Sequence, residues 1–144
     1  ILSGVTTTKA MFRNCSSITI INNLNSWNVS SVTEMRQMFK GCTSFDQPLN
    51  NWNVSNATDL SQMFSFSNFH QDIGNWNVSN VTNMSGLFVA SPFDQNIGNW
   101  NVSQVTDMSS IFNGTPFNQN IGSWNVSGVT NMLQINPITK TQTC

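Results

Sequence analysis

Hydrophobic residues recur in this chain on a long period as well as a short one. Tryptophan stands at 27, 52, 76, 100 and 124, so successive copies lie 25, 24, 24 and 24 residues apart. Each opens the same tetrapeptide, Trp-Asn-Val-Ser, in which large apolar and small polar residues alternate. That alternation is the period-two pattern of a short strand. Val32, Ala57, Val81, Val105 and Val129 follow five residues after each Trp. Counting from Val32, apolar residues then fall at +3, +6 and +7 (Met35, Met38, Phe39), which is helical spacing. Ser31 with Glu34 reads as a capping box, and Asn56 with Asp59 and Asn80 with Asn83 keep similar chemistry. A loop of variable length leads to Phe45, Phe69, Phe93 or Phe117, then to Leu49, Ile73, Ile97 or Ile121, three residues before the next Trp. The N-terminal stretch is a worn copy: Ile1–Thr6 aligns with Asn125–Thr130, and Met11-Phe12 takes the Met-Phe place.

A fixed period of this length marks a solenoid, propeller or array. One unit cannot bury its own apolar face, but stacked units can, with Phe over Phe and Trp over Trp. The pattern predicts a right-handed repeat solenoid. Each coil of about 24 residues would carry one short parallel β-strand and one short α or 3₁₀ helix. The expected organisation is a single domain over 1–144. It comprises a partial repeat 1–12, repeats at about 13–39, 40–64, 65–88, 89–112 and 113–136, and a tail 137–144. Pro137 should stop the last helix. The tryptophans are expected to form a core column; facing solvent, they would instead be a platform for sugars.

The unit Phe-x-Gln-x-(Ile/Leu)-x-x-Trp-Asn-Val-Ser-x-Val-Thr-x-Met-x-x-(Met/Leu)-Phe resembles the repeat, about 26 residues long, of bacterial surface proteins. That repeat occurs in mycoplasma surface lipoproteins and in Listeria- or Lactobacillus-type wall proteins. It is similar in turn to the BspA-like branch of leucine-rich-repeat proteins. Met38-Phe39-Lys40-Gly41-Cys42-Thr43-Ser44-Phe45 resembles that branch's Ala-Phe-x-x-Cys-x-x-Leu core, with Met for Ala. The resemblance runs from about residue 1 to 135. It implies a leucine-rich-repeat-like fold, an extracellular or cell-surface location, no enzymatic activity, and a role in adhesion or surface structure.

Composition narrows the function classes. Only 8% of residues are charged, against about 25% in ordinary proteins. Five Lys+Arg face six Asp+Glu, which lacks the basic field of a dedicated nucleic-acid binder. Asn, Ser and Thr supply 56 of 144 residues, so the surface is polar without being ionic. No apolar run approaches the 18 or so residues of a spanning helix, and no membrane insertion is expected. The one histidine, His70, sits where sister units carry Asp or Asn, so it reads as loop variation and not as a general base. No catalytic, cofactor or metal site is expected. Asp46, Asp59, Asp94 and Asp107 offer oxygens but no calcium loop.

The remaining candidates are covalent. Cys15 and Cys42 hold equivalent places in neighbouring units, where rung spacing suits a disulfide; the alternative is a small buried column continued by Ser67, Ser91 and Thr115. Cys144 is then odd and reads as an intermolecular thiol. Ten Asn-x-Ser/Thr sites occur, of which Asn14 and Asn113, in return loops, are the best glycosylation candidates. The alternative for the rest is a ladder of Asn side chains bonded along the stack. The first unit starts with Ile1-Leu2 and the last decays, so end-to-end self-association is expected, with Ile138–Cys144 adding to the next subunit. The sequence therefore predicts a non-enzymatic structural or adhesion module that stacks into filaments. The other reading is a recognition module that meets a host or matrix protein, or a glycan, through an exposed strand face.

Overall fold

The computed structural model describes residues 2–135. Pro137, the segment Ile138–Cys144 and the thiol of Cys144 lie outside the described residues. The chain winds into coils that lie one on the next: coil 1 (2–26), coil 2 (27–51), coil 3 (52–75), coil 4 (76–99), coil 5 (100–123) and the start of coil 6 (124–135). A single parallel bridge joins each neighbouring pair: Thr7 to Glu34, Glu34 to Asp59, Asp59 to Asn83, Asn83 to Asp107, and Asp107 to Asn131.

The leucine-rich-repeat-like solenoid, with a strand and a helix in every coil, is not what forms. Among the described residues the only helix is the 3₁₀ turn Leu24–Ser26, and the bridges never extend into a strand or sheet. Coil 3 shows why. The N–H groups of Leu60, Gln62, Phe64 and Phe66 donate to carbonyls of Asn83, Ser85, Leu87 and Val89 in coil 4, at 2.7–3.0 Å. The N–H groups between them, on Met63, Ser65 and Ser67, turn back onto Leu60, Gln62 and Phe64, at 3.1–3.2 Å. Alternate residues thus bond between coils while the others close β-turns. Gln62 and Phe66 hold the third places of two such turns with φ of 54° and 57°. The same backbone recurs at Gln37, Gly86 and Ser110, and at Asn14, Gly41, Ala90 and Gly114. A left-handed residue every fourth position cannot belong to a right-handed helix. Linked turns therefore produce the +3, +6, +7 apolar spacing, and the expected capping boxes cap nothing: Asp59 Oδ1 instead accepts the Ser61 N–H at 2.7 Å.

The strand prediction fails for a related reason. Asn53 Oδ1 accepts the Ser55 N–H at 3.1 Å, and the Ala57 N–H closes on the Val54 carbonyl at 2.9 Å. Asn28, Asn77, Asn101 and Asn125 do the same as Asn53. These side-chain turns compete with strand pairing and win. They keep the in-out alternation, so Trp52 and Val54 are buried while Asn53 is exposed. No exposed strand face exists among the described residues to serve recognition.

The core columns follow the sequence register. Phe39, Phe64, Phe88 and Phe112 stack coil over coil with ring centroids 5.9–6.1 Å apart. Phe45, Phe69, Phe93 and Phe117 form a second column, and each lies 3.9–4.1 Å from the first-column ring of its own repeat. Trp52, Trp76, Trp100 and Trp124 are core residues, at most 9% exposed. Each indole Nε1 donates to a carbonyl 27 or 28 residues back in the chain: Leu24, Leu49, Ile73 and Ile97, at 2.8–3.2 Å. Outside, Thr33, Thr58, Thr82, Thr106 and Thr130 form a ladder, each hydroxyl donating to the Thr carbonyl one coil back at 3.1–3.2 Å. These bonds repeat at every level and set the register between coils.

Candidate functional site

The ends of the stack expose what its middle buries. Val126 and Met132, in columns whose inner members are at most 1% exposed, stand 38% and 46% open on coil 6, beside Leu133 at 74%. On coil 1, Met11 and Ile20 are 41% and 72% exposed. Polar groups follow the same rule. Trp27 Nε1 is buried without a partner among the described residues, although every later indole has its carbonyl. Leu49, Ile73 and Ile97 each accept from the backbone N–H of the Trp three residues on and from the indole of the Trp 27 residues on. Ile121 accepts only the Trp124 N–H, at 3.1 Å, among the described residues.

Cys15 and Cys42 fall on adjacent coils as the alignment predicts, and both are free thiols. Cys15 is exposed; Cys42 is fully buried and its Sγ donates to the Phe12 carbonyl at 2.9 Å, an oxygen that also accepts the Cys15 N–H. The small-column reading fits their neighbours, since Ser67 and Ser91 are buried in the same place. Burial pushes the Cys42 thiol up to about 11, a shift opposed by the Cys15 backbone N–H and reinforced by the Cys15 side chain. The fold thus favours the neutral thiol. This contribution is complete below pH about 9 and is lost as pH rises through about 11. Iodoacetamide at pH about 8 is expected to alkylate Cys15 readily and Cys42 only after denaturation. Mass spectrometry of tryptic peptides reads the difference; equal labelling of both in the native chain would refute the burial argument.

Asn14 is exposed in a left-handed turn, with its backbone N–H on the Lys40 carbonyl. Asn113 is half-buried, and its carbonyl accepts the Ala90 N–H. The ladder expected of the other sites is formed by different asparagines from those opening Asn-Val-Ser. Asn56 and Asn80 reach back to the Ser30 and Ser55 carbonyls at 2.8 and 2.7 Å.

The charges are unevenly spread, which the sequence reading missed. Lys9, Arg13, Arg36 and Lys40, four of the five cations, lie on coils 1 and 2. Glu34 pairs with Lys9 at 3.6 Å, and Asp46 lies 3.2 Å from His70 Nδ1. Asp59, Asp72 and Asp107 accept nearby backbone N–H groups, and Asp94 holds Gln119. Arg13, Arg36 and Lys40 therefore have no ion pair among the described residues. Amides tie the cluster together: Arg13 Nη1 donates to Gln37 Oε1 at 3.2 Å, Gln37 Nε2 to Gln62 Oε1 at 2.8 Å, and Lys40 Nζ to the same oxygen at 2.7 Å. Burial, then the charges of Arg13 and Arg36, hold the Lys40 ammonium below its ordinary value. The clustering was readable from the cation positions once the repeat had been aligned.

A family model described as Mycoplasma protein of unknown function, DUF285, matches residues 2–89 and again 65–140, and the chain belongs to that family. No curated protein and no solved structure matches the chain.

Proposed function

We propose that the chain is a non-enzymatic structural or adhesion module of a cell surface, whose copies add end to end as its own coils do. Its relation to mycoplasma surface lipoproteins and to BspA-like surface proteins is part of this proposal. The observation that carries it is that one set of bonds joins every coil to the next, so a coil of another copy can meet the same groups. A head-to-tail contact of this kind does not close on itself and extends as a filament.

Sedimentation velocity and negative-stain imaging over a wide concentration range test the idea. Species in multiples of 16.0 kDa are expected to grow with concentration. Met132→Glu with Leu133→Glu, which puts charge on one end face, should hold the chain at one copy. A chain that sediments at a single copy throughout would sink the assembly reading. Biotinylation of intact producing cells by an impermeant reagent tests location; label confined to lysed cells would contradict it.

A further inference from the structure

Position 66 breaks the repeat. Its counterparts are Asn14, Gly41, Ala90 and Gly114, all small and most of them at ease with positive φ. Phe66 adopts φ 57° there and leaves its ring 53% exposed. Neither the core nor the turn requires a phenyl group at this place. Backbone strain of this kind clusters at ligand sites, where an exposed ring can serve contact with an occupant. The ring stands between two shallow grooves on the side of the stack. The first, about 580 Å³, runs past Thr43, Asn68, Ala90, Pro92 and Pro116. The second, about 290 Å³, is walled by Lys40, Gln62, Ser85, Ser109 and Asn113.

We infer that Phe66 and the Lys40–Arg36–Arg13 cluster form a binding site for an acidic polysaccharide, a chain of uronate or sulfated sugars lying along these grooves. Three features select this occupant. The phenyl face offers an apolar platform for the C–H face of a sugar ring. Serine, glutamine and asparagine side chains in the second groove supply donors and acceptors suited to sugar hydroxyls. Three cations without carboxylate partners, two of them guanidinium groups, attract carboxylate or sulfate and can bind it by two parallel hydrogen bonds. A bound anion would also relieve the repulsion acting on Lys40. A single exposed ring offers no run of stacking positions for a nucleic acid strand. The grooves, with Phe66 and Lys40, lie on coils 2 to 5, clear of either end; of the cluster only Arg13 stands on coil 1.

Calorimetric titration of the full chain with heparin and with polygalacturonate, at low salt, tests the site. Dextran, poly(dT) and phosphatidylglycerol vesicles serve as comparisons. Binding to at least one acidic polysaccharide is expected, about tenfold or more tighter than to any comparison; which one binds distinguishes sulfate from carboxylate. Phe66→Gly should weaken that binding about tenfold while leaving Tm unchanged or higher, since glycine relieves the left-handed backbone. Lys40→Gln should weaken it about fivefold and flatten its salt dependence. No binding to either acidic chain, equal binding to poly(dT) or vesicles, or full affinity in Phe66→Gly would each overturn the site. None of these outcomes depends on whether copies add end to end.

Discussion

Phe88→Ala is expected to cost about 3–5 kcal/mol of stability, the range for deleting a fully buried phenyl ring. Phe88 is 0% exposed and stacks on rings in three directions: Phe93 at 3.9 Å, Phe64 at 6.0 Å and Phe112 at 6.1 Å. Coils above and below cannot close the gap, because interstrand-like hydrogen bonds fix their separation at every level: Phe64 N–H to the Leu87 carbonyl, and Phe88 N–H to that of Ile111. Urea denaturation should show a lower midpoint. A loss under about 1 kcal/mol would mean that the stack relaxes and that the Phe columns are not the main source of cohesion.

Gly98→Ala should cost about 1–3 kcal/mol for a steric reason alone. A Cβ on Gly98 would lie 2.5 Å from the Asn120 carbonyl oxygen, part of the next coil's backbone. That oxygen cannot withdraw without separating the coils. Gly74 faces Asn96 in the same way, also at 2.5 Å. Gly122 is the natural control: among the described residues its nearest neighbour is the Asn120 side chain at 3.2 Å and no backbone atom lies within 4 Å, so Gly122→Ala should change stability by less than about 0.5 kcal/mol. Thermal melts of the two variants side by side decide the matter. Equal Tm values would show that coil contact at Gly98 is looser than the geometry implies.

The columns were legible in the sequence because burial is repeated in register. Val32, Met35, Met38, Phe39, Phe45 and Leu49 are all buried where alignment with their sister positions placed them. Backbone conformation was not legible from the same pattern. Apolar spacing of +3, +6 and +7 arises from linked turns as readily as from a helix, and only the left-handed residues distinguish the two. Gln37, Gln62 and Ser110 give no hint of that conformation, but Gly86, inside the expected helix, and Gly41 and Gly114, just after it, do. Asn-Val-Ser likewise hid a side-chain turn behind strand-like alternation. The exposure of Phe66 was hidden because a Phe among aromatic columns reads as core until its place in the coil is known.

The bonds between coils also govern how the molecule would bear load. They run from one coil to the next, roughly along the direction in which the stack grows, and each coil is tied chiefly to its immediate neighbours. Tension applied between the two termini would therefore unwind the outermost turn before disturbing those beneath it. Each released turn of about 24 residues would pay out up to roughly 80 Å of extended chain. A tether built this way yields in steps and holds its remaining length, a behaviour suited to anything anchored at one point and pulled at another.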